Sequence, residues 1–155
     1  MTEKYKIKLI TSRDHSRRAV AFLISSEENI TAKSVFDSLK NTKSERILLS
    51  WFDAWVDGLK NDNWYHGWNQ TQYTGRYVRC FVFKYREKRL EQRFYGFLCN
   101  PKTKLPDQGF QLCVLIRHGS KSQWETDEND LRIVEEIRTR PAVQKVIYDY
   151  FKEKP

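Results

Sequence analysis

Polar and apolar residues alternate at the start of the chain, where Tyr5, Ile7 and Leu9 sit between Lys4, Lys6 and Lys8. That period of two predicts a half-buried strand. A short apolar run from Arg18 to Ile24 predicts a second strand, paired with the first across the polar turn SRDHSR. The period then changes. Ala32, Val35, Phe36 and Leu39 share one helical face, and Thr42 with Glu45 has the spacing of a capping box. Ile47, Leu48, Trp51, Phe52, Trp55, Val56 and Leu59 form one continuous stripe, so Trp51 and Trp55 are read as core residues. Two helices joined by the short NTKS connection make an antiparallel helical hairpin.

From Arg76 the pattern is that of strands. Runs at 77–85, 90–98 and 110–117, separated by the charged turn REKR and the loop NPKTKLPDQG, predict an antiparallel meander. A polar link after His118 leads to a helix, capped by Thr126 or Asp127, that carries Leu131, Val134 and Ile137. Pro141 restarts it, and Val143, Val146, Ile147 and Tyr150 continue its apolar face. The expected class is α+β: a small antiparallel sheet packed on one face against the helical hairpin and a C-terminal helix. A chain of 155 residues with six Gly, four Pro and no repeat or linker is expected to form one domain over 1–155.

Composition narrows the function classes. Apolar residues make up 39% and charged residues 31%, which suits a globular chain. No apolar run approaches the roughly 18 residues of a membrane span, and the N-terminus has no secretory pattern, so a cytoplasmic protein without membrane contact is expected. Cys80, Cys99 and Cys113 are odd in number and lack metal-site spacing, so they read as small buried hydrophobes in a reducing compartment.

Lys and Arg outnumber Asp and Glu by 28 to 20, which favours polyanionic partners. The distribution is uneven. Between Arg76 and Lys104 nine basic residues face only Glu87 and Glu91, interleaved with Tyr77, Phe81, Phe83, Tyr85, Phe94, Tyr95 and Phe97. Cations with aromatics between them suit phosphate contact plus base stacking. From Glu125 to Glu136 the balance inverts, with six acids against Arg132.

Dinucleotide, P-loop, metalloprotease and serine-hydrolase motifs are missing, so no cofactor and no metal are expected. The imidazoles are His15, His66 and His118. His118 ends an apolar strand in the run R-H-G-S-K, which would bring Arg117, His118 and Lys121 to one rim of the sheet. Arg79 and Arg93 come from the two preceding strands, and a register that sends both to that face completes the set. Such a set suits metal-independent cleavage of RNA by the 2′-OH, leaving a 2′,3′-cyclic phosphate. His118 would be the proton carrier, and Lys121, Arg79 and Arg93 would neutralise charge on phosphorus. Tyr95 would stack on a base or hydrogen-bond the phosphate, and Arg76, Arg117 and Lys102 are further nucleic-acid-binding candidates. The segment NWYHGWN reads as a loop in which Trp64 and Trp68 either close the core or stack on bases, with His66 a spare proton carrier.

The runs Y-V-R (77–79), R-F-Y-G-F (93–97) and V-L-I-R-H-G-S-K (114–121), followed by T-x-x-N-D-L-x-x-V (126–134), resemble the RelE/HigB group of toxins and its phage-derived relatives. Ser120 stands where that group has Phe, and Ser122 where it has a second Lys. The resemblance covers about residues 44–138 and leaves residues 1–40 as an N-terminal extension. It implies a toxin-type endoribonuclease in which Arg79, Arg93, His118 and Lys121 bind or cleave RNA, free or ribosome-bound. It also implies an antitoxin partner. The alternative is a non-catalytic RNA- or DNA-binding module using the same patch. A third is a protein-interaction domain whose acidic and basic halves recognise another chain.

Overall fold

The computed structural model describes residues 4–11, 16–102 and 109–152; His15, most of the turn SRDHSR and the loop at 103–108 lie outside them. The chain is an α+β fold built on one mixed sheet of six strands. In chain order these are β1 (Lys6–Thr11), β2 (Arg18–Ile24), β3 (Tyr65–Gly67), β4 (Cys80–Glu87), β5 (Leu90–Cys99) and β6 (Gln111–Lys121). The spatial order is β1-β2-β6-β5-β4-β3. Helices α1 (Ala32–Ser38) and α2 (Lys43–Val56) fall between β2 and β3, while α3 (Glu128–Arg138) and α4 (Pro141–Lys152) close the chain.

The expected meander β4-β5-β6 is present and antiparallel. Two other expectations are corrected. The sheet is not wholly antiparallel, because β2 pairs with β6 in parallel. The N-terminal extension therefore supplies an inner strand. The helices also cover both faces, not one. Phe36, Leu48, Phe52 and Trp55 of α1 and α2 pack on Val20, Phe22, Phe83, Phe94 and Leu115. Leu131, Val134, Ile137, Val143 and Ile147 of α3 and α4 pack on Ala21, Leu23, Val82, Tyr95 and Val114. Strands covered on both sides read as unbroken apolar runs, which is why CFVF, RFYGF and LCVLI carry no polar alternation.

Helix α2 starts where its capping residues require. Thr42 Oγ1 accepts the Glu45 N–H at 3.2 Å, and the Glu45 carboxylate accepts the N–H of Asn41 at 3.1 Å. Trp55 is buried as expected, whereas Trp51 is half-buried and stacks on Trp64 at 5.9 Å between ring centroids. The NWYHGWN segment is not a loop throughout. Its centre is β3, an edge strand pairing Tyr65 with Phe83 and Gly67 with Phe81.

One irregularity decides where the functional residues point. Between β5 and β6 the register slips, so that Gly96 faces Leu115 but Tyr95 faces Arg117, leaving Ile116 as an extra residue. A Cβ at Gly96 would lie 2.1 Å from the Val114 carbonyl oxygen, so only glycine fits this close approach. Beyond the bulge the side-chain alternation of β6 is inverted.

Candidate functional site

Arg93 is only 3% exposed and lies under the connection between β6 and α3. Its guanidinium donates to Asp127 Oδ1 at 2.7 Å, to Glu91 Oε1 at 3.1 and 3.2 Å, to the Ser122 carbonyl at 3.1 Å and to the Glu125 carbonyl at 3.3 Å. Tyr95, fully buried beside it, donates its hydroxyl to the same Asp127 oxygen. Burial pushes the Tyr95 phenol well above its usual range, and the Asp127 charge pushes the same way. For Arg93 burial works against the charge, but Tyr95, Asp127 and Glu91 outweigh it and hold the guanidinium protonated. Both residues were expected to contact RNA. Instead they form a clasp that fixes the 122–127 turn.

The inverted alternation sends Arg117 and Lys121 to the same face. Arg117 Nε donates to Asp130 Oδ1 at 2.6 Å and its Nη1 to Asn29 Oδ1 at 2.9 Å. Lys121 Nζ lies 2.9 Å from Asp130 Oδ2, a charge contact without hydrogen-bond alignment. Asp130 is 2% exposed, so two cations compensate one buried carboxylate at the first turn of α3.

His118 lies on the opposite face. Its ring packs edge-on against Phe94 at 5.0 Å, and its backbone N–H donates to Thr31 Oγ1 at 3.0 Å, just before α1. Nε2 is 2.8 Å from Gln92 Oε1, within hydrogen-bond distance. Burial lowers the His118 pKa below its ordinary value, against the opposing pull of Asp130 and Glu87. The structure therefore does not bring His118 together with Arg93, Arg117 and Lys121: strand alternation sets His118 opposite Arg117 and Lys121, and the bulge pairs it with Phe94 and not with Arg93.

The remaining expected residues are dispersed. Arg79 is exposed just before β4, where its carbonyl accepts the Leu98 N–H. Arg93 lies five residues from Leu98 along β5, roughly 17 Å at strand rise, so the two arginines serve different ends of the sheet. Arg76 pairs with Glu128 at 2.9 Å. Lys102 sits over the Phe110 ring at 4.6 Å, beside α4. Trp64 is occupied by Trp51, while Trp68 is buried against His66 on the other face. Burial lowers both the His66 imidazole and the nearby Lys84 ammonium.

Among the described residues no group of three or more His, Cys, Asp or Glu is placed to hold a metal. Burial pushes the Cys99 thiol up to about 12 and raises Cys80 and Cys113 as well, so all three are protonated, inert thiols.

A residue not assigned a role from sequence completes the site. Trp124 is 86% exposed, the most exposed large hydrophobic side chain among the described residues. It projects from the turn that Arg93 clasps, where the Glu125 N–H donates to the Ser122 carbonyl at 3.1 Å and the Ser122 N–H to the Glu125 carboxylate at 2.7 Å. Its neighbour Gln123 accepts a 3.2 Å hydrogen bond from Arg86 in β4. Arg86 in turn borders the two-residue connection Lys88–Arg89, closed by the pair Glu87 and Leu90. All three cations are exposed, and Lys88 has φ +59°, a conformation that favours Gly or Asn in such a turn. An aromatic in an otherwise charged link was the one signal in the sequence. No protein-family model, curated protein or solved structure matches this chain.

Proposed function

We propose that the protein binds single-stranded nucleic acid through Trp124 and the cations of the β4–β5 turn. The observation that carries this reading is the 86% exposure of Trp124 on a turn held from beneath by the buried Arg93 clasp. A platform fixed before binding loses little freedom when a base stacks on it. Arg86, Lys88 and Arg89 beside it are exposed and supply phosphate contacts.

The order of helical hairpin, three consecutive antiparallel strands and closing helix supports kinship with the RelE/HigB group. Toxin-type cleavage would need His118 and the cations at one phosphate. Their separation onto two faces of the sheet favours binding over cleavage. Titrating a labelled single-stranded RNA with wild type and Trp124→Ala tests the reading. The substitution is expected to cost about 1–3 kcal/mol of binding free energy. Unchanged affinity would overturn it. RNA cut to 2′,3′-cyclic ends in the same tubes, and spared by His118→Ala, would favour the endoribonuclease reading.

A further inference from the structure

A groove of about 840 Å³ runs between β1 and α4, remote from the Trp124 turn. Lys4, Tyr5, Lys6 and Ile7 all line it. Lys6 and Ile7 open β1 and point to opposite faces, so a groove that touches both reaches the strand's edge, and Lys4 and Tyr5 extend its wall from the residues just before the strand. Among the described residues that edge is open: β1 is the outermost strand of the sheet, and β2 is its one strand partner. On the helix side, Ala142, Val146 and Tyr150 share an apolar stripe, with Lys145 and Lys152 flanking it.

Charge selects among the strands that could dock here. Four lysines, Lys4, Lys6, Lys145 and Lys152, border the groove against the single carboxylate of Asp149. Lys145 pairs with Asp149, and Lys4 lies 3.9 Å from Glu27. Lys6 and Lys152 are exposed and have no carboxylate within ion-pair distance among the described residues. Lysines along an open edge repel another strand of the same kind and so prevent self-pairing. They do not repel an acidic one.

We infer that this groove receives an extended acidic segment of a partner protein, added to the sheet as a seventh strand along β1. Backbone pairing with the six residues of β1 would supply affinity. Side chains of one parity would settle on Ile7 and Val146, with Lys152 of α4 on that same face, and carboxylates of the other parity would meet Lys6.

The probe is a labelled, end-blocked octapeptide of alternating Glu and Val, with a Lys-Val octapeptide as control. Binding is read by fluorescence anisotropy and by slowed amide exchange in β1. The Glu-Val peptide is expected to bind, to protect β1 amides and to weaken with added salt, and the Lys-Val peptide is expected not to bind. Lys6→Glu with Lys152→Glu is expected to weaken binding about tenfold. Both side chains are exposed, and a near-UV spectrum matching wild type certifies the fold. No Glu-Val binding, equal binding of both peptides, unprotected β1 amides or a double variant binding as wild type would each overturn the proposal. Displacement of the peptide by single-stranded RNA would also overturn it, since the groove would then be a general polyanion site. The wild-type peptide comparison decides the matter even if the double variant does not fold.

Discussion

Replacing Arg93 by Met separates a structural clasp from a phosphate ligand. Met keeps the length and apolar character of the side chain but removes every hydrogen bond from the guanidinium. Asp127 and Glu91 then lose their closest cation, and the Ser122 and Glu125 carbonyls lose a donor. Removing one partner of a buried ion pair costs about 3–5 kcal/mol. The side chains of Asp127 and Glu91 keep 21% and 16% exposure, so water recovers part of this and the lower end, about 3 kcal/mol, applies. With a urea dependence near 2 kcal/mol per molar, the unfolding midpoint should fall by roughly 1.5 M. Asp127→Asn in the Arg93→Met background should cost less than the sum of the single changes, by about 1–2 kcal/mol. Amide exchange across 122–127 should quicken in Arg93→Met. An arginine held open for phosphate gives the reverse pattern, since its truncation leaves stability unchanged or raises it. A midpoint within about 0.3 M of wild type would refute the clasp.

Gly96→Ala should destabilise the protein by about 3 kcal/mol in urea, because the new methyl meets the Val114 backbone and not a movable side chain; a neutral effect would show that the bulge does not depend on glycine. Stability should also depend on pH through His118 and His66, whose folded pKa values are both lowered by burial. The unfolded chain binds these protons more readily, so their contribution is complete above about pH 6.5 and is lost as pH falls below it. Chemical unfolding at about pH 7.5 and 5.5 should show the loss, and His118→Gln should reduce it; a slope identical to wild type would contradict the assignment.

Local signals carried most of the fold. The Thr42 and Glu45 spacing marked the start of α2, the Trp51 to Val56 stripe marked its buried side, and Pro141 marked the break between α3 and α4. Pairings distant in sequence were not legible. Nothing near Arg18–Ile24 tells whether it will lie parallel or antiparallel to a strand some ninety residues later. The bulge at Gly96 was equally silent, and one extra residue was enough to pair His118 with Phe94 and so turn it away from the face of Arg93. The charge asymmetry was legible but read outward. The acidic run from Glu125 meets the basic strands within the chain, through Arg76 with Glu128, Arg93 with Asp127, and Arg117 and Lys121 with Asp130. Those cations hold α3 in place, so the proposed nucleic-acid surface rests on Trp124 and on the exposed Arg86, Lys88 and Arg89 of the β4–β5 turn.

The salt dependence of nucleic-acid binding tests that surface most directly. Affinity for a single-stranded oligonucleotide is measured across a range of monovalent salt for wild type and for the triple variant Arg86→Gln, Lys88→Gln, Arg89→Gln. Each phosphate contact on a single strand contributes about 0.7 to the slope of log K against log salt. Removing three contacts should therefore flatten the slope by roughly 2, with Trp124→Ala lowering affinity at an unchanged slope. A triple variant with the wild-type slope would contradict the assignment of this turn as the nucleic-acid interface.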